Sequence, residues 1–451
     1  MTTESTPAKS GFHFKDITKM FGGGGTSTLR QFGILGSLIV IIVLFEILTL
    51  LRNGPNGATL TSGNLINVIN QYSFILILAI GMVMVIIMGH IDLSVGSVAA
   101  FTGIIVAKSM TEWNLPWPLA ILLGLAVGAA VGAWQGFWVA YVGVPAFIVT
   151  LAGMLLFRGA QQWIGDAQTI PVPKGFQIIG TGYLPEIGLP VPFNVPTMLL
   201  ALVAVAWLIF WEIRTRRVQH KMGSDSAPLW VTVTKVVLLS AVVLAAAWMF
   251  ATGRPGTSFP VPGLILLALV IIYSFVTSKT VFGRHIYAVG GNRQAARLSG
   301  VKDRWVDFFV MMNMSVLAAL AGMIFVARSQ ASGPNDGTGW ELDAIASVFI
   351  GGAAVAGGVG TVIGSIIGGL VMAFLNNGLA LLGQGADVVS MIKGIVLLFA
   401  VGIDVWNKQQ GRPSIIGFMT RRFGRQQDPA LETFEPNKTY QAPPVDKTSG
   451  K

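Results

Sequence analysis

Long apolar runs separated by short polar stretches fill the chain from residue 33 to residue 406. A helix crossing the hydrocarbon of a bilayer needs about 20 mostly apolar residues, and shorter pieces survive at depth only where they are broken or buried in protein. Twelve segments fit: 33–51, 65–88, 92–108, 117–141, 145–163, 197–211, 230–251, 261–278, 305–327, 342–357, 361–382 and 387–406. The short ones, 92–108 and 342–357, read equally as half-helices, as re-entrant pieces or as full crossings. The pattern predicts an all-α fold, a polytopic transmembrane helical bundle of about 12 spans.

Composition supports the same class. Of 451 residues, 53% are hydrophobic and 11% charged, too apolar for a chain of this length whose whole surface meets water. The net charge of +10 raises the question of nucleic acid, but 22 of the 30 Lys and Arg fall in four segments. These are the tail 1–32, the loops 212–229 and 279–304, and the tail 407–451, with 4, 4, 6 and 8 basic residues. The opposite loops carry only Arg52, Lys174, Arg254 and Arg328. The positive-inside rule turns that asymmetry into an orientation with both termini cytoplasmic, and no nucleic-acid partner is expected. The expected organisation is a cytoplasmic tail over 1–32, a transmembrane domain over 33–406 and a basic cytoplasmic tail over 407–451. The first 32 residues, with a Gly22 to Gly25 run, show no small-residue cleavage pattern and read as an uncleaved tail. There is no Cys, which excludes disulfides and thiolate metal sites.

An internal similarity links two distant stretches. Gly124-Leu-Ala-Val-Gly128 through Val144-Pro-Ala-Phe-Ile-Val-Thr150 to Phe157 parallels Gly364-Ser-Ile-Ile-Gly368 through Gln384-Gly-Ala-Asp-Val-Val-Ser390 to Phe399. In the predicted topology the two pairs of spans run in opposite senses, so the bundle would hold two inverted repeats, an arrangement that lets two halves rock about a site near the midplane. Chance self-alignment of Gly-rich apolar sequence is the competing reading.

Candidate chemistry lies in breaks and amides. Gly89-His-Ile-Asp-Leu-Ser-Val-Gly96-Ser97 joins the second and third spans, and Gly351-Gly352 through Gly357-Gly358-Val-Gly360-Thr361 joins the tenth and eleventh. Irregular backbone at depth lines a cavity or is buried in protein. Asp92, Ser94 and Ser97 either cap the start of the third span or take part in gating. The second break has no titratable group and reads as a tight backbone contact. Asn70, Gln71, Gln135, Asn313, Asn376 and Asn377 sit in apolar segments, where amides serve a neutral polyol or tie helices together. Phe147, Trp134 and Trp138 either stack on a sugar ring or simply pack. Charges within spans are few, among them Glu46, Lys235, Lys393 and, at a boundary, Asp387; both of these lysines lie close enough to span ends to snorkel. Such scarcity weighs against ion coupling, although an ion-coupled secondary transporter is the rival reading. His13, His90, His220 and His285 show no metal-ligand spacing, and no phosphate-binding loop is present, so an enzyme or a metal site is not expected.

The loop 279–304 is the most charged of the internal ones. From Asn292 to Leu298 it carries helix formers, ended by Ser299-Gly300, which predicts a short helix with a glycine cap. About two turns of helix are unstable alone in water and need a surface to dock on, while an ordinary positive-inside loop would explain the charge by itself. Gln294-Ala295-Ala296-Arg-Leu-Ser-Gly300 resembles the Glu-Ala-Ala, three residues, Gly motif of bacterial ABC importer permeases, with Gln in place of Glu. Gly89 to Ser97, Val144 to Gly159, Phe282 to Val301 and Glu341 to Thr361 are together similar to the monosaccharide permeases of the ribose and xylose type. His90 departs from the Gly-Gly-Ile-Asp-Leu-Ser pattern of that family, and the stretch 212–251 looks additional to its compact core.

The resemblance implies an ABC importer permease fold in a bacterial inner membrane, with xylose or a related aldose as first substrate and ribose or galactose behind. It implies a second permease copy, an ABC ATPase subunit and a periplasmic or lipid-anchored sugar-binding protein as partners, with surrounding membrane lipid. No cofactor is expected on this chain; ATP and Mg belong to the ATPase. Asn292, Arg293, Gln294, Ala295, Ala296, Arg297 and Gly300 would form the coupling helix, and the breaks near 89–97 and 351–361 would move with it.

Overall fold

The computed structural model describes residues 26–187, 191–221, 229–253 and 256–409. Most of the tails expected over 1–32 and 407–451, including Gly22 to Gly25, and part of the loop 212–229 lie outside the described residues. The apolar runs become helices: α1 (Thr26–Asn53), α2 (Ser62–Ile87), α3 (Val95–Thr111), α4 (Trp117–Phe137), α5 (Ala146–Ile164), α6 (Lys174–Thr181), α7 (Val195–Lys221) and α8 (Leu229–Ala251). They continue as α9 (Val261–Lys279), α10 (Val281–Gly291), α11 (Arg293–Leu298), α12 (Asp303–Ser329), α13 (Trp340–Ile350), α14 (Val362–Leu381) and α15 (Ala386–Gln409). Two-residue strands, β1 (Ile170–Pro171) and β2 (Ala331–Ser332), pair antiparallel. Among the described residues, nine helices are long and apolar enough to cross a membrane. The chain is an all-α, multi-pass membrane protein.

The two short segments resolve differently from full crossings. The segment 92–108 is the 17-residue α3, and most of its side chains are buried in protein. The segment 342–357 takes the half-helix reading and is shorter than the apolar run: α13 has 11 residues and stops at Ile350. At 1.5 Å per residue it is about 16 Å long, half of the ~30 Å hydrocarbon. It ends where Gly352 takes a left-handed φ of 85° and Ala353 donates its amide to the Val348 carbonyl, beside a close approach in which a Cβ on Gly351 would lie 2.3 Å from the Gly364 carbonyl oxygen.

Burial sorts the helices into a core and a lipid-facing shell. Over their apolar windows α2, α12 and α14 are 83%, 67% and 78% buried, whereas α7 and α8 are 11% and 6%. At the centre α2 packs on α12; α3 and α4 pack on α12 from one half, and α13 and α14 pack on α2 from the other. The glycines that paralleled each other in sequence are contact seams in both halves: a Cβ on Gly128 would lie 2.5 Å from that of Ala319, and one on Gly368 would lie 2.1 Å from the Ser347 carbonyl oxygen. The equivalent connections lie on opposite faces. Residues 88–94, after α2, sit beside 290–293, while residues 330–339, after α12, pair with 170–172. That is the inverted relation.

Both of the span lysines singled out from the sequence sit beside carboxylates. Lys393 of α15 meets Asp343 of α13 at 2.9 Å, and Lys235 of α8 meets Glu212 of α7 at 3.0 Å. Glu46 accepts the Leu60 amide at 2.7 Å. In apolar surroundings an unpaired charge costs more than one held by a carboxylate.

Candidate coupling and gating site

Local sequence chemistry builds the short helix that follows α10. Thr280 caps α10, its Oγ1 accepting the Gly283 amide at 3.1 Å. Asn292 then turns extended (φ −155°, ψ 102°) and caps α11, its Oδ1 accepting the Ala295 amide at 3.0 Å. Gly300 closes α11 with φ 83°, its amide donating to the Arg297 carbonyl and that of Val301 to the Ala296 carbonyl. Of the six residues of α11 only Ala296 is buried; Gln294 and Ala295 are exposed, and Leu298 is 91% exposed.

An ion cluster fastens α11 to α12. Arg293 grips Asp307 through both nitrogens, at 2.5 and 3.0 Å, and reaches Asp303 at 3.2 Å; Arg297 meets Asp303 at 2.7 Å. Arginines four apart on one helix thus face aspartates four apart on the next. Two guanidinium and two carboxylate charges balance, and the side chains of Asp303 and Asp307 are 8% and 5% exposed. Hydrogen bonding to Asp307 holds the Arg293 guanidinium above its ordinary pKa. His90 completes the cluster, its Nε2 2.9 Å from Asp307 Oδ1 and 3.3 Å from an Arg293 nitrogen. With Nε2 protonated, it donates to the carboxylate, and the arginine approach is then a contact rather than a bond.

The first break is held at its deep end by hydrogen bonds among buried side chains. Asp92 Oδ1 accepts both the amide and the hydroxyl of Ser94, at 2.8 and 2.6 Å. The Asp92 bond stops short of the first helical amides, so the capping role is corrected to a turn bond just before α3, and Ser94 at the N-cap position makes no side-chain cap. Ser94 Oγ accepts from Gln135 Nε2 at 2.7 Å, Gln135 Oε1 accepts from Ser315 at 3.4 Å, and Ser97 donates to the Ser94 carbonyl at 2.7 Å. These side chains are buried. The second break reaches the same place. Gly358 donates its amide to the Ile87 carbonyl at 2.8 Å, and the Tyr287 hydroxyl of α10 donates to the Gly360 carbonyl at 2.7 Å. Both breaks, far apart in sequence, meet α10 just before α11.

A family described as branched-chain amino acid transport system, permease component, matches residues 64–401. The chain belongs to this family. The xylose transport system permease protein XylH of Haemophilus influenzae is 39% identical to the permease over 383 residues, covering 85% of this chain and 98% of the relative. XylH of Escherichia coli strain K12 is 36% identical over 391 residues, covering 86% and 95%. The ribose import permease protein RbsC of the same strain is 36% identical over 374 residues, covering 83% and 94%. No solved structure matches the permease. The resemblance drawn from the four motifs is borne out.

The other predicted residues of the permease do not gather into one path. Asn377 exchanges a reciprocal pair of amide bonds with Asn64, at 2.8 and 2.9 Å, tying α14 to α2. Asn70 donates to the Tyr183 hydroxyl at 3.2 Å, and Asn313 accepts from Tyr273 at 2.5 Å. Asn376 is buried, and Gln71 is partly buried on α2. Phe147 lines a cavity of about 650 Å³ beside the ion cluster, walled by His90, Arg293, Asp307 and residues 139–147. That wall follows a π-helical turn over Trp138–Val142 that ends at Gly143 in the left-handed region. Asp303, Asp307 and Tyr287 were missed by sequence reasoning. The matched four-residue spacing of Arg293 with Arg297 and of Asp303 with Asp307 was the available signal for the two carboxylates.

Proposed function

We propose that the permease is the membrane subunit of an ATP-driven importer of a monosaccharide, xylose or a related aldose first and ribose or galactose behind, in a bacterial inner membrane. The observation that carries the reading is α11: a capped six-residue helix with a leucine 91% exposed at its end and ion-paired roots in α12. A helix this short is not stable by its own hydrogen bonds, and its exposed residues Gln294, Ala295 and Leu298 leave it free to dock on another protein. That partner is an ABC ATPase, which holds ATP and Mg and performs the hydrolysis; this chain is not catalytic. A second permease copy completes the channel, and a periplasmic or lipid-anchored binding protein delivers the sugar. Both termini lie on the cytoplasmic side with α11. The names of the xylose and ribose permeases support the substrate class.

The test is reconstitution of the permease with its ATPase and binding protein in liposomes, with labelled xylose, ribose and galactose offered in turn. Uptake that requires ATP, the ATPase and the binding protein, and is greatest for xylose, is expected. Uptake that persists without the ATPase and collapses with the ion gradient would establish a secondary transporter instead.

A further inference from the structure

His90 is fixed twice, and the two attachments belong to different parts of the molecule. Its backbone belongs to α2: the His90 amide donates to the Val85 carbonyl at 3.0 Å, closing the helix together with the Gly89 amide on Ile86. Its side chain belongs to the ion cluster, with Nε2 on Asp307 and against Arg293. The side chain of His90 is short and its donor is held on Asp307, so displacement of the Asp307–Arg293 pair is passed to the backbone at residue 90 instead of being taken up along a four-carbon stem such as that of lysine.

The next residues make the link consequential. From His90 the chain passes through Ile91 to Asp92 and Ser94, and the deep end of the turn is pinned to the same helix, α12, through Gln135 and Ser315. Asp307 and Ser315 are eight residues apart, about 12 Å along one helix at 1.5 Å per residue. The turn is therefore strapped to α12 at two levels. The deep strap consists of hydrogen bonds among the buried side chains of Asp92, Ser94, Gln135 and Ser315. The shallow strap is ionic, is shared with α11, and lies against the open cavity bounded by residues 139–147. A pull on α11 acts on Arg293, and through Asp307 on the His90 ring, before it can reach the deep strap.

We propose that His90 is a positioning residue of the transport cycle: its ring carries displacement of α11 into the 89–94 turn that leads into α3. The inference rests on the ATP-driven reading above. The groups facing the ring are Asp307 of α12 and Arg293 of α11, with Asp303, Arg297 and Arg304 around the same cavity. Residues 139–147 present no Asp, Glu, Lys, Arg or His toward it.

The experiment compares wild type, H90A and H90Q, each purified with the ATPase partner and the binding protein in liposomes, recording sugar uptake and ATP hydrolysis in the same vesicles. H90A is expected to hydrolyse ATP at the wild-type rate while sugar moved per ATP falls at least about fivefold, the lower end of a typical coupling energy between sites. H90Q should recover most of that ratio, because its amide nitrogen can donate to Asp307 from nearly the position of Nε2. Hydrogen exchange at amides 89–94 supplies a second readout: addition of nucleotide should change it in wild type and H90Q and leave it unchanged in H90A. A wild-type ratio in H90A, or H90Q as deficient as H90A, overturns the inference while leaving the import reading intact. If H90A does not assemble with its partners, a deficient H90Q ratio overturns the inference and a recovered ratio with nucleotide-sensitive exchange supports it. Wild-type uptake that needs no ATPase overturns the import reading and this inference with it.

Discussion

Gly290 and Gly291 are adjacent, identical in type and indistinguishable by sequence, yet their environments predict opposite outcomes for the same substitution. A Cβ added at Gly290 would lie 1.8 Å from the Ile87 carbonyl oxygen and 3.1 Å from the Gly358 amide nitrogen; one added at Gly291 would meet nothing within 4 Å. Carbon and oxygen in contact stand about 3.3–3.6 Å apart, so Gly290→Ala forces α10 and the end of α2 apart by about 1.5 Å. That shift is enough to break the 2.8 Å bond from Gly358 to Ile87. Overpacking costs about 1–3 kcal/mol. The lost hydrogen bond adds about 1 kcal/mol. The gain of Ala over Gly in a helix offsets about 0.5–1 kcal/mol of this. The net loss for Gly290→Ala is then about 2 kcal/mol, whereas Gly291→Ala, at the last position of α10, keeps only the favourable part. Thermal unfolding in one detergent should place Gly290→Ala several degrees below wild type and Gly291→Ala at or slightly above it. Equal melting temperatures for the two variants would refute the claim that α10 wedges against both breaks.

The remaining predictions concern the loop and the paired polar groups. Asn64→Leu and Asn377→Leu should each destabilise the protein, and the double variant should cost less than their sum, with a coupling of about 1–2 kcal/mol for two interhelical bonds, read by a double-mutant cycle on unfolding; an unchanged apparent KM for sugar would separate tie from path. Gly300→Val places a β-branched residue at φ 83° and should fray α11 at a cost of about 1–2 kcal/mol, read as weakened pull-down of the ATPase and lost uptake with the rest of the fold intact. Lys393→Met strands the Asp343 carboxylate and should cost about 2 kcal/mol, less than the ~3–5 kcal/mol of a fully buried pair. The double variant Lys393→Met, Asp343→Asn should recover most of it, as measured by folded yield and melting temperature.

The fold was legible wherever a run of apolar residues was long enough to have one interpretation. Mean hydropathy carried 342–357 past its end because it does not register that Gly351 must sit against Gly364. The α11 helix and its glycine cap were readable in full, since Asn292, the Ala pair and Gly300 act on their own neighbours. The convergence at α10 was not, because Ile87, Gly290 and Gly358 are far apart in sequence and their contact is backbone to backbone, leaving no side-chain signature. Likewise an asparagine in an apolar helix looks the same whether it faces a solute or another asparagine; only the register of α2 against α14 decides that Asn64 and Asn377 bond each other.

The two inverted halves also touch at their breaks. Gly96, at the start of α3, meets Gly337 of the opposite connection so closely that a Cβ on either would lie 2.2 or 2.1 Å from the other's carbonyl oxygen. Each connection is thus fastened to its own face at one end and to the other connection at its inner end. The fastenings differ in kind. Residues 88–94 are held at the surface by the charged cluster of His90, Asp307 and Arg293. Residues 330–339 are held by the β1–β2 pair, by Gln161 donating to the Gly333 carbonyl at 2.8 Å and by Asp336 accepting the Gly333 amide at 2.8 Å. The strap on 88–94 shares its charges with α11, whereas that on 330–339 is local, with Arg158 also 3.5 Å from the Gly337 carbonyl oxygen. In the proposed cycle, with one break strapped ionically to α11 and the other by a strand pair and local side-chain bonds, displacement is expected to start at residues 88–94 and to reach the far face through the Gly96–Gly337 contact.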